Sequence, residues 1–518
     1  MSRSAGTYHL RDFPDVRLCS ALSKGCRAAL YPLLALACGL SGTLGAATAP
    51  VGDPHLETYP SPSADEMPRC PDFPLVEVRP AAGGGAWTPV VVYDHVSSFA
   101  GRSGIAAFGL DAPVQVRVTY KAPVTAAAVL PSRRGIAALI AGSTATFTVP
   151  KPQNLVVNLN GDIDHPLCLF ANPLAHDAGL ANDPEVDYYA PGHVHALRKT
   201  AAKRIHIAGG AVVRGAVGLG SGMALTGYGM LLTDTNTNAL KSWGADGVSV
   251  RGVIVSNVGP GLGKQGNWTF LAFATSHLTV DNVKFFDVFY GEDGIDLDGD
   301  CHEVAVTGCF FHLADDCVAL KSSSWQAQGK LPRDVRVAGC VFWQDTYGNA
   351  VHFGSESCSR GTLTGVRITD NDVVRALADL KQFPQDSLIN VHTQEGAGVA
   401  DLVVEGLHVE NSARPRLAMF RVASGKPDQG IGAITGITIR DVHVVGKWVP
   451  CEFVSHDVQH AVGEVACEGL FSDSHEFGSP AEAGFILSPY TRQVSVAAGK
   501  GADRRVQSAS GPAAPTTP

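Results

Sequence analysis

The chain has 518 residues, of which 45% are hydrophobic and 17% charged, and its formal net charge is −9. This length suits two folded domains. The acidic balance, without any basic run, excludes nucleic acid as a partner. It also disfavours a polyanionic substrate, unless a local basic pocket overrides it.

The first 49 residues are predicted to be a secretory signal peptide. Scattered Arg and Lys precede an uncharged stretch from Ala28 to Val51, and its most apolar part is too short to span a membrane. Small residues then predict cleavage near Ala46–Ala49. The protein is therefore expected to be secreted or periplasmic, without a membrane span. A lipoprotein cysteine at Cys38 is the alternative, although Ala35 is a poor match three positions before it.

Residues 68–172 are predicted to form an antiparallel β-sandwich. Short alternating apolar runs are separated by Gly, Pro, Asp and Asn, and turn signals about every 8–12 residues are typical of sandwiches. The runs are Val76–Val78, Val90–Tyr93, Val114–Val118, Thr144–Val149 and Leu155–Leu159.

Residues 191–450 repeat a short unit that alternates apolar with other residues and closes on a small or polar one. The units begin at Val248, Leu278, Val304, Val335, Val366, Leu402 and Ile437, at spacings of 26 to 36 residues. Such repeats predict a parallel β-helix, whose stacked coils bury alternate residues in one continuous core. A propeller is the structural rival, but the units lack four strands per period.

The end of the chain is less regular. Residues 451–490 are predicted to be a C-terminal extension. Residues 491–518, rich in Ala, Gly, Ser, Thr and Pro without an apolar period, are predicted to be a disordered tail. The predicted fold class is therefore all-β, a parallel β-helix preceded by an antiparallel β-sandwich domain.

Three aspartates stand close together within the repeats. Asp293 lies 22 residues before Asp315, and Asp316 follows directly. If each repeat is one coil, these carboxylates lie side by side on neighbouring coils, as acid/base hydrolysis of a glycosidic bond requires. Because adjacent residues of a strand point to opposite faces, Asp315 or Asp316 must lie at a bend. Aspartates that cap coil corners, or a calcium site, are the alternatives.

At these residues the chain resembles the pectinase-type right-handed parallel β-helix glycoside hydrolases. In the polygalacturonase family (glycoside hydrolase family 28), a segment of the type N-T-D-G-I-D precedes a D-D-C-V-A-L-K-S segment. This chain has EDGID from Glu292 to Asp296 and DDCVALKS from Asp315 to Ser322. The likeness covers about Arg204 to Gly446, and the N-terminal sandwich is more similar to the dextranase/isopullulanase family (glycoside hydrolase family 49).

The resemblance implies an inverting glycoside hydrolase. Asp315 would be the general acid, and Asp293 and Asp316 would together activate the water. The residues agree with these roles on physical grounds, since adjacent like charges raise the pKa of one member and keep a proton available near neutral pH.

The chain departs from the polygalacturonase pattern at two segments. Where that family has G-H-G-x-S-x-G-S, this chain reads GNAVHFGS, with Asn349 in place of the histidine and His352 three positions later. Within a strand these two side chains would face opposite sides. The R-I-K segment that would bind a galacturonate carboxylate is missing, which leaves Arg375 and Lys381 as nearby basic candidates. The resemblance therefore implies the same type of catalysis, polygalacturonase-like or dextranase-like, whereas these departures weigh against polygalacturonan as the substrate.

Further side chains are predicted to line the cleft. Asp296 and Asp298 alternate with Ile295 and Leu297, so they are expected to face outward, toward substrate or solvent. Trp268, Trp325 and Trp343 could stack on sugar rings, with core packing as the alternative for each. The predicted substrate-binding residues are Asp296, Lys321, Asn349, His352, Glu356 and Arg375.

The cysteines predict neither a metal nor a cofactor. No CxxC or His pairing has metal-ligand spacing. Cys309 and Cys340 occupy the same repeat position, so they are expected on adjacent coils. They would form either a disulfide or part of a stack of small apolar side chains.

The sequence thus predicts a secreted, monomeric glycoside hydrolase with a polysaccharide substrate. Two alternatives stay open. A β-helix polysaccharide lyase would need a basic residue beside an acidic sugar, and the carboxylate cluster shows no Arg or Lys. A non-catalytic carbohydrate-binding or adhesin solenoid would use the same fold without turnover.

Overall fold

The computed structural model describes residues 55–97, 101–233, 237–257, 268–286, 291–322, 330–344, 348–354, 361–376, 386–393, 396–412, 415–423 and 430–499. Within these ranges the chain forms β-strands and two short 3-10 helices, with no α-helix. None of the helices in the described part of the chain is long and apolar enough to cross a bilayer. The predicted signal peptide lies outside the described residues.

Two sheets over one core make up the N-terminal region. Its strands alternate as the sequence predicts: the valines of β6 are buried, whereas Gln115 and Arg117 lie on the other face. The strands are β1 Leu56–Thr58, β2 Leu75–Pro80, β3 Thr88–Val90, β4 Val92–Ser97, β5 Gly101–Leu110, β6 Val114–Thr119, β7 Ala127–Leu130, β8 Leu139–Ala141, β9 Thr144–Val149, β10 Gln153–Leu159 and β11 Leu167–Asn172. The 3-10 helices are Ser132–Arg134 and Leu180–Asn182.

The two N-terminal sheets have the strand orders β1-β5-β11-β10-β7, with β4 beside β5, and β3-β2-β6-β9-β8. Side chains from both sheets, among them Val116 and Phe108, belong to one hydrophobic core. One pairing departs from the antiparallel prediction, because β5 and β11 run parallel. These strands are distant in the chain, so no hairpin sets their direction. The region also begins before residue 68, since β1 pairs with the end of β5.

The rest of the described chain is a parallel β-helix. Its strands are β12 Val186–Tyr189, β13 Val194–Ala196, β14 Arg204–Ile207, β15 Val212–Arg214, β16 Val217–Leu219, β17 Ala224–Thr226, β18 Met230–Thr233, β19 Leu240–Trp243, β20 Ser249–Arg251, β21 Ile254–Asn257, β22 Phe270–Phe273, β23 Ser276–Asp281, β24 Lys284–Phe286, β25 Ile295–Asp298, β26 His302–Thr307, β27 Phe310–Leu313, β28 Val318–Lys321, β29 Arg333–Ala338, β30 Val341–Gln344, β31 Val351–Phe353, β32 Gly361–Thr369, β33 Asp372–Ala376, β34 Ile389–Thr393, β35 Ala397–Val409, β36 Ala418–Val422, β37 Ile434–Val444, β38 Glu452–Val454, β39 Gly463–Ser472, β40 His475–Glu476, β41 Ile486–Leu487 and β42 Arg492–Ala497.

These strands belong to two sheets. One strand from each coil enters a ten-strand sheet of order β16-β19-β22-β25-β28-β31-β34-β36-β38-β41. The other sides of the coils form a twenty-one-strand sheet from β12 to β42. Inward side chains stack from coil to coil, and the rings of Phe285, Phe311 and Phe342 lie parallel with centroids 5.2 and 5.1 Å apart. This ladder is the continuous core that the repeats predict.

The residue that closes each repeat unit turns the corner of the coil. Asn282, Gly308, Gly339 and Asp370 follow one another at this corner, with φ of 54°, 58°, 64° and 56°. Left-handed backbone favours Gly, Asn and Asp, because other side chains crowd the following carbonyl. The small or polar end of the repeat is therefore a requirement of backbone geometry.

The β-helix is longer than the sequence predicts. It begins at Val186, before the predicted start at 191, because β12 already pairs in parallel with β14. It also continues past 450: β38 and β39 extend the two sheets, and β42, within the predicted disordered tail, pairs with β39. The prediction failed because the last coil alternates Val494 and Val496 with polar residues over one short run only. Residues 500–518 lie outside the described part of the chain.

The N-terminal region packs against the twenty-one-strand sheet. Aromatic rings fill this junction, with Phe170 and Phe310 at 5.1 Å between centroids and Trp343 only 1% exposed. Arg133 and Arg134 both bond the carboxylate of the fully buried Asp372. Such apolar contact and charge pairing hold the two parts together.

Cys309 and Cys340 lie side by side on neighbouring coils, as predicted. Both are buried free thiols. Burial, together with the neighbouring Cys340, raises the pKa of the Cys309 thiol well above its ordinary value. Of the two alternatives, the stack of small apolar side chains is therefore the one adopted.

Candidate active site

The carboxylates lie at one corner of the β-helix, just before the strands of the ten-strand sheet. The first residues of β25, β28 and β31 are paired in register. Two positions before them lie Asp293, Asp316 and Asn349. The backbone ladder continues there: the N–H of Gly294 donates to the carbonyl of Asp316, and that of Cys317 to the carbonyl of Asn349, both at 2.8 Å. The three side chains thus follow one another on successive coils, about 4.8 Å apart.

Asp293, Asp315 and Asp316 form a compact cluster. Each places a carboxylate oxygen within 4.8 Å of those of the other two. The backbone N–H of Asp316 lies between its neighbours, 2.9 Å from Asp315 Oδ1 and 3.3 Å from Asp293 Oδ1. Asp315 lies in a bend rather than a strand, which meets the requirement set by the sequence.

Asp315 differs from its neighbours in exposure. It is partly exposed, whereas Asp293 and Asp316 are 3% and 7% exposed. Burial, followed by the negative charges of Asp293 and Asp316, holds the pKa of Asp315 well above its ordinary range, while Lys321 opposes the shift. Asp315 is therefore able to keep a proton and to present it to a bound molecule.

Lys321 reaches into this cluster. Its Nζ lies 2.8 Å from Asp293 Oδ2 and 2.9 Å from Asp296 Oδ1, and 4.2 Å from the ring centroid of Trp268. The prediction that no Arg or Lys enters the cluster is therefore wrong. The backbone of Lys321 is in register with that of Asp298. Its side chain instead extends toward Asp296 and Asp293, over the small side chain of Ala319.

Asp296 faces away from the β-helix core, as predicted, because Ile295 and Leu297 fill that core. It is nevertheless fully buried beside Lys321, so it is open neither to substrate nor to solvent. Burial raises the pKa of Asp296 well above its ordinary value; Lys321 opposes this shift and Asp293 adds to it.

The excess of carboxyl groups at the cluster favours the protonated form of some of them. Among the described residues, the carboxyl groups of Asp293, Asp296, Asp315 and Asp316 lie at the cluster together with the ammonium of Lys321, which bonds Asp293 and Asp296. Three carboxylates also form an oxygen set of the kind that hard cations bind. A divalent cation would, however, have to share Asp293 with Lys321, whose Nζ already bonds it. Protonation of the groups with raised pKa lowers the excess charge without displacing the lysine.

Asn349 and His352 both approach Asp316. Asn349 Nδ2 donates to Asp316 Oδ1 at 2.6 Å, and His352 Nδ1 lies 3.3 Å from that amide and 3.8 Å from Asp316 Oδ2. The amide orientation is fixed, because Asn349 Oδ1 accepts the backbone N–H of Ser387 at 3.0 Å. The prediction that residues 349 and 352 face opposite sides is wrong, since Asn349 lies in the turn before β31 and not within it.

Gly348 permits the close approach of two coils at the cluster. Its φ is 87°, and a Cβ there would lie 2.5 Å from the carbonyl carbon of Asp315 and 2.8 Å from the backbone nitrogen of Asp316. Its N–H also approaches Asp386 Oδ2 at 3.3 Å. Glycine at this position therefore sets the place of the adjacent aspartates.

The structure does not bring every predicted residue to the site. Arg375 lies on β33 of the twenty-one-strand sheet, where it bonds Asp164 at 2.8 Å and lies over the ring of Trp343. The assignment of Arg375 to substrate binding is therefore wrong. It follows the aspartates in sequence, but its strand belongs to the twenty-one-strand sheet and not to the ten-strand sheet beside the cluster. Trp343 is likewise part of the junction. Glu356, Lys381 and Trp325 lie outside the described residues.

A separate cleft of about 760 Å³ opens at the junction of the N-terminal region and the β-helix. Lys151, Arg204, Arg251 and Asp177 are among the residues that line it. None of the predicted site residues that the structure describes lines this cleft.

Sequence reasoning missed several residues on the outward face of the ten-strand sheet. His352 is in register with Asn390, and His392 with Arg421. Burial, then the charges of Arg421 and His352, lower the pKa of His392 to about 4. These residues lie outside the repeat unit that marks the twenty-one-strand sheet, so only coil-to-coil register reveals them.

Comparison with known proteins confirms the fold. Dex49A from Penicillium minioluteum superposes with a TM-score of 0.59 at 11% identity, covering 85% of this chain and 96% of that one. The matched share exceeds the β-helix, so the likeness extends into the N-terminal sheets. A family 28 exopolygalacturonase from Yersinia enterocolitica (TM-score 0.35, 10% identity, 75% and 97% covered) and the catalytic domain of a GH87 alpha-1,3-glucanase (0.36, 12%, 86% and 96%) also match. No protein-family model and no curated protein matches the sequence.

Proposed function

We propose that this protein is a secreted, monomeric glycoside hydrolase that cleaves a polysaccharide with inversion at the anomeric carbon. The observation that carries the proposal is the Asp293–Asp315–Asp316 cluster, with carboxylate oxygens within 4.8 Å of one another and a raised pKa on the partly exposed Asp315. A proton held beside ionised carboxylates is what hydrolysis of a glycosidic bond needs.

In this mechanism Asp315 protonates the glycosidic oxygen as the bond breaks. Asp293 and Asp316 hold a water molecule and accept its proton as it attacks the anomeric carbon. Asn349 supports this division of roles, because its donation to Asp316 Oδ1 favours the ionised carboxylate. Lys321 does the same for Asp293 Oδ2.

The stereochemistry is the step most open to test. Inverting enzymes usually hold their two carboxyl groups roughly 6.5–9.5 Å apart and retaining enzymes roughly 5–5.5 Å. The oxygen separations here are shorter than the first range. Inversion therefore rests on the shared water of Asp293 and Asp316 and on the motif resemblance. Proton NMR of the first-formed anomer decides it, and a product with the anomeric configuration of the substrate contradicts inversion.

A polysaccharide lyase is the second candidate, and Lys321 favours it. A lyase needs a basic residue close to the carboxylate-bearing sugar carbon, and Lys321 lies within the cluster. Against it, Lys321 already donates to Asp293 and Asp296, so its nitrogen is directed at protein carboxylates. The hydrolase remains the function that we propose.

The test is incubation of the purified protein with dextran, pullulan, polygalacturonan and rhamnogalacturonan. Reducing ends and the absorbance of unsaturated products are followed together. We expect reducing ends from one polymer without unsaturated product, and a loss of about 10²–10⁴-fold in kcat for Asp315→Asn. Asp401→Asn, at an exposed ion pair with Arg367, is the matched control and should keep full activity.

Each other outcome has a definite meaning. Unsaturated product would assign a lyase. An Asp315→Asn variant with undiminished turnover would remove Asp315 from the mechanism. Binding to a polymer without turnover by the unchanged protein would favour the non-catalytic carbohydrate-binding or adhesin solenoid.

A further inference from the structure

An aromatic pair stands on the outward face of the ten-strand sheet, on the N-terminal side of the carboxylates. Trp243 ends β19 and Phe273 ends β22, and the two are in register. Their rings stack with centroids 4.3 Å apart and an interplanar angle of 28°. The same register continues through Asp298 to Lys321. The pair and Lys321 therefore share one face of the ten-strand sheet, and Asp293, which Lys321 contacts, lies at the corner just before β25.

Trp243 is the exposed member of this pair. Its side chain is 55% exposed, which is unusual for the largest apolar side chain. The neighbouring strand toward the start of the β-helix is β16. It presents Gly218 on the same face of the sheet, and Gly220 follows the strand. A Cβ on Gly218 would meet nothing within 4 Å. These two glycines place no side chain beside the indole, more than half of which is exposed.

The inner side of the pair is held in place. The ring of Phe273 lies against Gly299, where a Cβ would come within 3.1 Å of Phe273 Cε2. Any larger residue at 299 would displace the ring. Lys241, two positions before Trp243 and therefore on the same face, is exposed and its Nζ bonds Thr237 Oγ1 at 2.7 Å. A flat apolar surface with a polar amine beside it is thus fixed on the sheet.

We propose that Trp243, supported by Phe273, is a remote binding subsite that stacks on a pyranose ring of the same polysaccharide chain whose glycosidic bond lies at the aspartate cluster. The flat ring offers the apolar face that pyranose C–H groups prefer, and Lys241 can donate to a ring hydroxyl. This subsite rests on the proposed function for the identity of its ligand.

The position of the subsite implies substrate length. Trp243 lies three strands from Lys321, or about 14 Å along the stack of coils at roughly 4.8 Å between neighbouring strands. Because Trp243 ends its strand whereas Asp315 precedes β28, its separation from Asp315 is greater than this. Only a chain of several sugar units, lying across the strands, can occupy both places. The subsite therefore favours long substrates, and a short oligosaccharide bound at the cluster leaves Trp243 empty.

Binding, separately from turnover, tests the subsite. In the Asp315→Asn background of the full chain, affinity is measured for short and long oligosaccharides of the polymer that the protein cleaves, by calorimetry. If no polymer is cleaved, affinity gels cast with each of the four polymers replace it. We expect Trp243→Ala to weaken binding of the long chain about tenfold and to leave the short one unchanged. Trp243→Phe should retain most of the affinity, and the exposed Tyr490→Ala should change nothing.

The outcomes separate this inference from the proposed function. Equal affinity of Trp243→Ala and its parent for the long chain overturns the subsite, even if Asp315→Asn abolishes hydrolysis. Failure of the parent to bind any polymer overturns it as well. A loss of binding in Trp243→Ala, with catalysis unaffected by Asp315→Asn, upholds the subsite and overturns the catalytic assignment instead.

Discussion

Two buried lysines mark two different sides of the β-helix. Lys284, at the junction with the N-terminal region, is 0% exposed and donates to neutral oxygens, Asn172 Oδ1 at 2.6 Å and the carbonyl of Gly252 at 3.1 Å. Lys321, at the aspartate cluster, is 3% exposed and bonds the carboxylates of Asp293 and Asp296. Similar burial thus comes with different hydrogen-bond acceptors, neutral oxygens for Lys284 and carboxylates for Lys321.

The buried carboxylates at the junction and at the aspartate cluster also differ in their partners. At the junction, the buried Asp372 is paired with Arg133 and Arg134, and the buried carboxyl group of Glu410 lies near them, so two positive groups face two carboxyl groups. At the cluster, the described residues comprise four carboxyl groups and the ammonium of Lys321, and the pKa values of Asp296 and Asp315 are raised. Balanced buried charge supports the contact between two parts of a fold, whereas an excess of one sign costs stability and is typical of functional sites.

The largest effect is expected for Lys321→Met. Without the ammonium, Asp293 loses its partner, and activity on the cleaved polymer should fall by about 10²-fold or more. The pH profile of the remaining activity shows in which direction the pKa of Asp315 has moved. Lys321 lowers the pKa of Asp315, so its removal raises that pKa further and moves the high-pH limit of activity upward. Initial rates across pH measure both effects.

Lys321→Arg is the conservative control for this prediction. It keeps the positive charge, so its pH limit should stay near that of the unchanged protein even if the rate falls. A downward shift of the limit in Lys321→Met would contradict the assignment of Asp315 as the acid. Thermal unfolding shows whether each variant is folded before its rate is interpreted.

The fold and the grouping of Asp293, Asp315 and Asp316 could be predicted from the sequence, but the positive charge of Lys321 beside them could not. The repeat unit and its closing corner residue, such as Gly308, are local patterns, and a local pattern can be read from one chain. The approach of Lys321 to Asp293 depends on how a long side chain lies across the sheet. That direction is set by the small Ala319 between them, and no spacing rule encodes it.

The assignments of Arg375 and His352 show the same limit. Arg375 follows the cluster in sequence, yet its strand belongs to another side of the coil and faces the N-terminal region. The approach of His352 to Asn349 was missed because the strand was assumed to include residue 349. Both errors concern where a strand begins or which sheet it joins, and these depend on coil lengths that vary along the chain.

Gly348→Ala separates positioning from chemistry at the cluster. The new Cβ would lie 2.5 Å from the carbonyl carbon of Asp315, so Asp315 and Asp316 must shift. A displacement of about 1 Å in a catalytic group can cost roughly 10²-fold in rate, and we expect a loss of kcat of about tenfold to 10²-fold. Steady-state kinetics should place the loss in kcat rather than in KM.

Gly446→Ala is the matched control for Gly348→Ala. Its φ of 89° is close to the 87° of Gly348, but a Cβ there meets nothing within 4 Å. Both variants carry the left-handed strain of alanine, about 1–2 kcal/mol, and Gly348→Ala should lose further stability because its Cβ also meets the backbone of Asp315. Only Gly348→Ala should lose activity. Equal losses of kcat in both would show that backbone strain, and not contact with Asp315, limits the reaction.

The smallest effect is expected for Lys284→Met, which changes stability rather than activity. It tests the buried lysine at the junction with the N-terminal region. Burial lowers the pKa of Lys284 to about 7 in the folded protein, from 10.5. Between these values the unfolded chain binds the proton that the folded chain has released, so this group makes stability rise with pH, by at most about 1.4 kcal/mol per pH unit.

Lys284→Met removes that slope. Urea unfolding from pH 7 to about pH 9 should therefore show the unchanged protein gaining stability relative to the variant, while Lys447→Met, at an exposed lysine, follows the unchanged protein. Parallel curves for Lys284→Met and the unchanged protein would mean that Lys284 keeps its proton on folding. The two buried lysines would then differ in their partners alone, and the aspartate cluster would be distinguished by its excess of carboxylates rather than by the state of its lysine.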